Sequence, residues 1–407
     1  MNTSAIINVC DWGSTGKIAF GLLNYLQKQG DKVVFCYGRG QKRDDCCFYR
    51  IDSSIEVYLH ALDTLFTSRL NSSSYFATKR LIMYLRSLNV TDIYMINLHG
   101  KYLHEKLFLD YLIEDKINLV YIMADESAFL GNCSYSNGCE QYINGCYNCP
   151  QQKFYQHLLF PNVPAKAFKM KLNAYPKINV AFVAPEFVIN TARKSPLMNG
   201  RLMEIVDEAI DVDKNRPKNT EDLKNELHIG KDKIVIVCVA KLNQPSKGAR
   251  YFIEAARKIE HDSRFVFIHI GHNCKYPDPL PANLITKGYV GNQDELTKYY
   301  SIADLFVFAS VLDTMPNTCL EALACGSPLL CFDISGMPYL GDSSVMTLVE
   351  PRNVDALVDV IKKTPKKSQK VIDTCRAYAL KRYDVSEYSK KLALIMNNLK
   401  IKKYDSI

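Results

Sequence analysis

Short apolar runs alternate along the chain with amphipathic helical stretches. In the first half, one such stretch, KIAFGLLNYLQKQG, predicts a helix that ends at Gly30. Four runs around it predict buried strands: AIINVC, KVVFCYG, TDIYMINLHG and KINLVYIMAD. Uninterrupted apolar runs joined by helices are typical of a parallel sheet that is covered on both faces. The first half therefore predicts a doubly wound parallel sheet, with chemistry at the carboxyl ends of its strands.

The same alternation starts again in the second half. Strand-like KIVIVCVA, FVFIHIG, DLFVFAS and PLLCFDI alternate there with helical ARYFIEAARKIE, DELTKYYSIA and TCLEALACG. A polar, poorly patterned region at about residues 186–230 separates the halves. Because 407 residues exceed what one core usually organises, we predict two Rossmann-like α/β domains facing a cleft. They cover residues 1–200 and 201–385, and helical residues 386–407 are expected to return to the first domain.

Composition and charge narrow the functional classes. The chain is 47% hydrophobic and 23% charged, and its net charge is +8. This mild excess suits an anionic substrate or an anionic membrane surface, and does not by itself indicate nucleic acid. There is no run of about 18 apolar residues, and the N-terminus lacks a basic region with an apolar stretch. We therefore expect a cytoplasmic protein.

Two acids flank a turn at the end of the predicted strand DLFVFAS. Asp313 lies in the loop, and Glu321 lies one turn into the next helix, for which Thr318 is the expected N-cap. Because free N–H groups at a helix start favour anions, the arrangement suits a sugar nucleotide. One acid would bind sugar hydroxyls and the other ribose hydroxyls, while the amides would hold the diphosphate. The spacing alone fits equally well a helix-capping acid with a surface acid nearby.

Two lysines follow the first predicted strand of the second half. Lys241 and Lys247 lie in CVAKLNQPSKGARYF, in the loop at the carboxyl end of that strand. Ammonium groups at this edge could neutralise the charge that develops on a diphosphate leaving group. Anywhere else, solvated loop lysines would be the default interpretation.

Seven segments in order resemble the family 4 retaining glycosyltransferases, in the subgroup that makes bacterial capsule, O antigen and colanic acid. DTMPNTCLEALACGSPLLCFDISGMP is similar to a variant of their E-x7-E motif, and AKLNQPSKG to their basic loop. The other matching segments are GSTGKIAFGLLNYLQKQGDKVVFCYGRG, FATKRLI, NLHG, LGNCSYSNGCEQYINGCYNCPQ and VAPEFVINTARKSPL. The resemblance implies a GT-B fold, with a UDP- or GDP-sugar donor on the second domain and an acceptor on the first.

The resemblance also assigns roles to individual residues. It places Asp313 at the donor sugar, Glu321 at the ribose and Lys247 at the diphosphate, so that catalysis needs no metal or other cofactor. Lys241 stands where many members have arginine, which keeps the charge but weakens bidentate phosphate binding. The implied substrate-binding residues are those of the second-domain loop, Thr314, Met315, Pro316, Asn317 and Thr318, and those of a first-domain glycine loop, Gly13, Ser14, Thr15 and Gly16.

The chain departs from this family at two places. Relatives usually have His-Asp where VYIMADESAF has Ala124 and Asp125, and alanine cannot replace the histidine's contacts with the sugar. His99 could face the same cleft, although a lone histidine is more often structural. In VDEAID, residues 206–211 replace the usual Asn-Gly-Ile-Asp turn, and this change is expected to affect only the linker.

The function implied by the resemblance is retaining transfer of a sugar from a nucleotide diphosphate. The acceptor would be a growing, lipid-linked surface polysaccharide such as capsule, O antigen or exopolysaccharide. Because of Ala124, the alternative is a non-catalytic paralogue that binds sugar nucleotides.

Four cysteines lie close together in the loop of residues 131–150. Cys133, Cys139, Cys146 and Cys149 have five, six and two residues between them. Thiolates at this density could form a tetrahedral structural zinc site. Small buried cysteines that pack an insertion explain the pattern equally well. Few basic or aromatic residues accompany them, which disfavours a nucleic-acid-binding knuckle, and we expect no nucleic-acid partner.

The segment SRLNSSSYFATKRLIMYLRS mixes basic and apolar residues. Part of it could lie on an anionic leaflet, at the inner face of the plasma membrane. A solvated basic helix face is the alternative. The residues concerned are Arg69, Lys79, Arg80 and Arg86 with Tyr75, Phe76, Leu81, Ile82 and Leu85.

Overall fold

The chain forms two compact units in a computed structural model. The model describes residues 3–43, 45–51, 74–98, 100, 102–151, 163–271, 276 and 279–404. Unit 1 comprises Met1–Asp207 and Val385–Ile407, and unit 2 comprises Glu208–Asp384. The chain therefore leaves unit 1 once and re-enters it at the start of its last helix.

Unit 1 is built on a seven-stranded sheet in which every neighbouring pair of strands is parallel. Its strands are β1 (Thr3–Cys10), β2 (Lys32–Arg39), β3 (Phe48–Arg50), β4 (Val90–Ile96), β5 (Asn118–Ile122), β6 (Asn179–Ala184) and β7 (Leu202–Ile205). They lie in the order β3-β2-β1-β4-β5-β6-β7, which reverses between β1 and β4. All five residues of β5 are buried, as expected for a strand covered on both faces.

Among the described residues of unit 1, five helices lie between the strands along the chain. They are α1 (Gly13–Lys28), α2 (Tyr75–Ser87), α3 (Glu105–Glu114), α4 (Val163–Ala174) and α5 (Glu186–Ala192). In α1 the residues Ile18, Leu22 and Leu26 are buried at intervals of four, which is the period of an apolar helix face. Gly30 follows the helix at φ +85°, where a residue without a Cβ lets the chain turn away.

Unit 2 repeats this plan with a six-stranded parallel sheet in the order β10-β9-β8-β11-β12-β13. Its strands are β8 (Ile234–Val239), β9 (Phe265–Ile270), β10 (Leu284–Lys287), β11 (Leu305–Phe308), β12 (Leu329–Phe332) and β13 (Met346–Val349). Its helices are α6 (Glu221–Glu226), α7 (Ala249–Lys258), α8 (Gln293–Ile302), α9 (Asn317–Ala324), α10 (Val354–Lys363) and α11 (Gln369–Arg382). The prediction of two Rossmann-like parallel-sheet domains is confirmed.

Helix α2 carries the described part of the segment proposed for membrane contact, and three of its aliphatic residues face the core. Leu81, Ile82 and Leu85 are buried in the core of unit 1, so these three residues are not available for contact with a leaflet. Arg86 pairs with Asp115 at 2.6 Å and with Glu114 at 3.3 Å.

Four other residues of that segment remain at the surface, and one cannot be placed. Tyr75, Phe76, Lys79 and Arg80 are exposed. Arg69 lies outside the described residues. In the part of the chain that the structure describes, no helix is both long and apolar enough to span a bilayer.

The last helix, α12 (Val385–Tyr404), belongs to unit 1 and is tied to the starts of three strands. Lys400 Nζ lies 2.6 Å from a carboxylate oxygen of Asp92, whose side chain is 1% exposed. The other oxygen of Asp92 accepts a hydrogen bond from Asn118 at 2.8 Å, and Asn118 accepts one from Asn179 at 2.8 Å. Asn179 also donates to the carbonyl of Leu399 at 3.2 Å. Side chains of β4, β5 and β6 thus form one polar network with α12.

We predict that Lys400→Met destabilises unit 1, because it leaves the buried Asp92 carboxylate without its cation. Removing one partner of a buried ion pair costs about 3 kcal/mol or more. The urea midpoint should fall when followed by the fluorescence of Trp12, which is the single tryptophan and lies in unit 1. The double variant Asp92→Asn with Lys400→Met should recover most of the loss. Equal destabilisation of the single and double variants would contradict the assignment.

Candidate functional site

The candidate site in unit 2 lies where two neighbouring strands end. β8 and β11 pair in parallel, and the strand order reverses between them. Their carboxyl ends lead into a lysine loop, residues 240–248, and an acid loop, residues 311–316. Ligands of open α/β sheets bind at such switch points. The two loops are joined directly, since Val311 N donates to the carbonyl of Ser246 at 2.8 Å.

Gly248 allows the lysine loop to lie against the end of β11. Its φ is +71°, and a Cβ there would come within 1.6 Å of the carbonyl oxygen of Ala309. Any side chain at this position would push the two loops apart. The Lys-Gly dipeptide therefore fixes the lysine next to the acid loop.

Lys247 and Asp313, both predicted from the sequence, meet as an ion pair. Lys247 Nζ lies 2.5 Å from Asp313 Oδ2, and their side chains are 26% and 12% exposed. Asp313 Oδ1 accepts a hydrogen bond from Thr314 N at 3.0 Å. The lysine charge is thus balanced by the acid that was assigned to the sugar. Lys241 lies in the same loop and is exposed.

Gly336 supports the acid loop from behind, a role that sequence reasoning missed. Its N–H donates to the carbonyl of Asp313 at 3.0 Å. A Cβ at Gly336 would lie 1.6 Å from the carbonyl oxygen of Thr314. The signal was present in the segment DISGMP, where a glycine follows the next strand along the sheet. The sequence alone does not show that this glycine lies next to Thr314.

Helix α9 begins two residues earlier than the capping prediction requires. It starts at Asn317, with Pro316 at the N-cap position and no side-chain cap. Thr318 is therefore inside the first turn and does not cap the helix. Its hydroxyl is buried and has no hydrogen-bond partner among the described residues. The first N–H groups of α9 have no intrahelical partners and can bind an anion.

Glu321 is a buried acid. Only 3% of the residue is exposed, and its Oε2 accepts a hydrogen bond from the Tyr300 hydroxyl at 2.8 Å. Burial, and next the Glu321 carboxylate, raise the pKa of Tyr300 well above its usual value, so the phenol keeps its proton and donates. The alternative of a helix-capping acid with a surface acid does not match this geometry. Of the remaining acid-loop residues, Thr314, Met315 and Pro316 are buried and Asn317 is half-buried.

Glu208 is a third acid at this site, and it was not predicted. It is 8% exposed, and its N–H lies 3.2 Å from Met315 Sδ. Burial, with a smaller contribution from the negative charge of Asp313, raises the pKa of Glu208 to about 8. Glu208 belongs to the VDEAID segment, whose departure was expected to affect only the linker. Glu208 contacts the acid loop through Met315, so the effect of this departure is not confined to the linker.

The site residues that were predicted in unit 1 mainly make contacts that stabilise the fold. Gly13 to Gly16 form the first turn of α1, so they are not a separate loop. A Cβ on Gly16 would lie 2.8 Å from the Asp11 carbonyl carbon, and Thr15 Oγ1 accepts a hydrogen bond from Asn8 at 3.2 Å. Ser14 is exposed.

Asp125 is 4% exposed and accepts a hydrogen bond from Ser127 N at 2.9 Å, which closes a turn after β5. His99 lies outside the described residues. The four predicted metal-binding cysteines, Cys133, Cys139, Cys146 and Cys149, line one cavity in unit 1.

Solved structures with the same architecture define the class of fold. Sucrose-phosphate synthase from Thermosynechococcus elongatus matches 99% of this chain and 100% of its own, with a TM-score of 0.72 and 12% identity. Anabaena HepE in complex with UDP-glucose matches 98% of this chain and 100% of its own, with a TM-score of 0.62 and 13% identity. At this identity the likeness concerns the fold alone. The fold is GT-B.

Sequence comparison relates part of the chain to a protein family. Residues 233–365, within unit 2, match the family described as "Glycosyl transferases group 1". The "Putative teichuronic acid biosynthesis glycosyltransferase TuaC" of Bacillus subtilis is 28% identical over 145 residues, 35% of each chain. The "Putative colanic acid biosynthesis glycosyl transferase WcaC" of Escherichia coli is 25% identical over 228 residues, 53% of this chain and 51% of that one.

A third relative is the E. coli "UDP-Gal:alpha-D-GlcNAc-diphosphoundecaprenol alpha-1,3-galactosyltransferase". It is 27% identical over 171 residues, 39% of this chain and 44% of that one. The chain thus matches between about a third and a half of the length of these curated relatives. Unit 2 carries a group 1 glycosyl transferase domain, which confirms the family resemblance.

We predict that Gly336→Ala destabilises unit 2 and displaces the acid loop. The backbone of Gly336 is right-handed helical, so the cost is purely the clash with Thr314. Overpacking of this kind costs about 1 to 3 kcal/mol. Gly288→Ala is the matched control in the same unit, because a Cβ there meets no heavy atom within 4 Å. If both variants unfold at the same urea concentration, the close approach is not a constraint.

We predict that Glu208 makes stability fall as the pH rises. Its pKa is about 8 in the folded protein and 4.5 as a free side chain, so between these values the unfolded chain holds fewer protons. The stabilisation that Glu208 contributes is therefore complete below pH 4.5 and is lost as the pH rises through 8.

Glu208→Gln removes this titration. The melting temperature of Glu208→Gln relative to wild type should increase steadily from pH 5 to pH 8 and level off above. Glu204→Gln, at an exposed acid, is the control. A pH-independent difference for Glu208→Gln would show that Glu208 is ionised in the fold.

Proposed function

We propose that the protein is a retaining glycosyltransferase of bacterial surface-polysaccharide synthesis. It would transfer a sugar from a UDP- or GDP-sugar to a growing, lipid-linked glycan. The observation that carries this proposal is the meeting of Lys247, Asp313 and the start of α9 at the switch point of the unit 2 sheet. These groups lie inside the segment that matches the group 1 family.

The ion pair supports an exchange of partners on donor binding. A diphosphate carries more negative charge than a single carboxylate, so it competes with Asp313 for Lys247. The released carboxylate would then accept hydrogen bonds from hydroxyls of the donor sugar. As the bond to the sugar breaks, negative charge grows on the diphosphate, and Lys247 and the first amides of α9 stabilise it. These groups provide the stabilisation that a metal would otherwise supply, which is why we propose metal-independent transfer.

Glu321 would bind the ribose from its buried position. Its Oε2 is occupied by Tyr300, which fixes the orientation of the carboxylate. A carboxylate held in one orientation binds a diol without losing further side-chain freedom. Glu208, beside the acid loop and protonated at neutral pH, avoids adding a second full charge next to Asp313.

The names of relatives support the substrate classes. HepE was solved with UDP and with UDP-glucose. Two relatives are named for diphosphoundecaprenol acceptors, one from Campylobacter jejuni and one from E. coli. A lipid-linked acceptor suggests work at the cytoplasmic membrane surface. The exposed Tyr75, Phe76, Lys79 and Arg80 are the residues of α2 that remain available for such contact.

The competing function is a non-catalytic protein that binds sugar nucleotides, and Ala124 favours it. Ala124 is half-buried and follows β5, where relatives have a histidine at the sugar. Charge on the leaving diphosphate is handled by residues of unit 2, and such stabilisation is usually the largest single catalytic contribution. We therefore propose that Ala124 slows or redirects transfer and leaves the activity in place.

We predict that Lys247→Ala and Glu321→Gln weaken nucleotide-sugar binding. Each loses a charge-assisted contact worth about 1.5 to 3 kcal/mol, or roughly tenfold to over a hundredfold in affinity. Glu321→Gln keeps the side-chain volume and an oxygen for Tyr300, so the fold is preserved. Lys241→Ala, in the same loop, is the control and should lose less. Wild-type affinity of Lys247→Ala and Glu321→Gln in calorimetry would refute the site.

Turnover separates the two functions. The assay is nucleotide release over a panel of UDP- and GDP-sugars, with bacterial lipid extracts as the acceptor source. We expect transfer or slow donor hydrolysis, and Asp313→Ala should be far less active. A donor that binds tightly but is neither hydrolysed nor transferred would favour the non-catalytic protein. A product with inverted anomeric configuration would refute only the retaining mechanism and would leave the transferase function in place.

A further inference from the structure

The loop of residues 131–150 gathers four cysteines around one small cavity. Its volume is about 20 Å³, and Cys133, Cys139, Cys146 and Cys149 all line it. A space of this size holds roughly one water-sized guest. All four residues are free thiols. Four cysteines thus line one space that holds about one atom.

Backbone N–H groups point at two of the sulfurs. Gly131 N donates to Cys146 Sγ at 3.2 Å, and Gln141 N donates to Cys139 Sγ at 3.4 Å. A thiolate gains more from such donors than a thiol does, because the interaction is charge-assisted. Packing of small apolar side chains does not require donors on sulfur. These N–H contacts therefore favour a role for the cysteines as metal ligands over a role in packing the loop.

The base of the loop is fixed by buried groups. Lys171 Nζ donates to the carbonyls of Ser127 at 2.7 Å and Leu130 at 3.0 Å, just before the first cysteine. Glu126 accepts a hydrogen bond from Ser136 N at 2.6 Å. Ser136 also accepts one from Gln151 through its carbonyl, which closes the far end. The cysteines therefore belong to a loop with a defined frame.

No three of the four sulfurs lie within 4.8 Å of one another, so the loop is more open than a closed tetrahedral site. In the described part of the chain, only Asp45, Cys46 and Cys47 bring three ligand atoms within 4.8 Å of one another. These three are consecutive, and two of them are exposed, so they enclose nothing. A tetrahedral zinc with Zn–S bonds of about 2.3 Å would draw the loop cysteines inward. Coupled closure of this kind is common in small zinc sites.

We propose that Cys133, Cys139, Cys146 and Cys149 bind one structural zinc ion that closes this loop. Four thiolates are typical of tetrahedral zinc, and the two-residue spacing of Cys146 and Cys149 matches a zinc knuckle. All four cysteines belong to unit 1, whereas the proposed donor-binding residues Lys247, Asp313 and Glu321 belong to unit 2. The proposal therefore does not depend on the proposed function.

The test measures metal content of the full chain purified in zinc-supplemented buffer without chelators. We expect one zinc per chain in wild type, and none in Cys146→Ser or Cys149→Ser. Cys46→Ser is the matched control, an exposed cysteine outside the loop, and should retain the ion. Loss of the metal in Cys46→Ser, or no zinc in wild type, would overturn the proposal.

A second measurement uses wild type only, in case the serine variants fail to fold. Zinc should protect the four loop cysteines from alkylation, as mapped by peptide mass analysis, and a chelator should expose them. Chelation should also lower the melting temperature followed by Trp12 fluorescence. Equal alkylation with and without zinc, or a disulfide between loop cysteines in the purified protein, would refute a zinc site.

Discussion

Backbone contact at two glycines is the constraint on which the site of unit 2 depends. Gly248 lies against the end of β11, and Gly336 lies against Thr314, in both cases with no room for a Cβ. These contacts bring the lysine loop and the acid loop together. The ion pair of Lys247 and Asp313 follows from that placement. Side-chain chemistry at the site is thus a consequence of how closely three stretches of backbone approach.

The acids of this site are tolerated in three different ways. Asp313 is paired with Lys247, Glu321 accepts a hydrogen bond from Tyr300, and Glu208 keeps its proton near neutral pH. Three ionised carboxylates with one lysine would be costly in a partly buried space. The different environments reduce that cost. They also give each acid a separate electrostatic character.

Unit 1 uses buried charge for architecture. Lys171 lies 3.6 Å from Glu105 and also holds the chain that leads into the cysteine loop. Lys400 pairs with Asp92 and joins the last helix to the sheet. Both lysines contact acceptors that come from elsewhere in the sequence. The same residue type that serves as a candidate substrate ligand in unit 2 therefore serves as a structural tie in unit 1.

The sequence by itself determined the two parallel sheets, the resemblance to a glycosyltransferase family, and the presence of a lysine and two acids at one sheet edge. Those features are local, since apolar periodicity and motif spacing are written within short segments. Tertiary structure decided the rest, namely that Leu81, Ile82 and Leu85 face the core, that Thr318 is not a cap, and that Gly336 supports the acid loop. It also placed Glu208 against Met315 of the acid loop, 107 residues away in sequence. Burial and pKa depend on neighbours from distant segments, and no spacing rule within one segment contains that information.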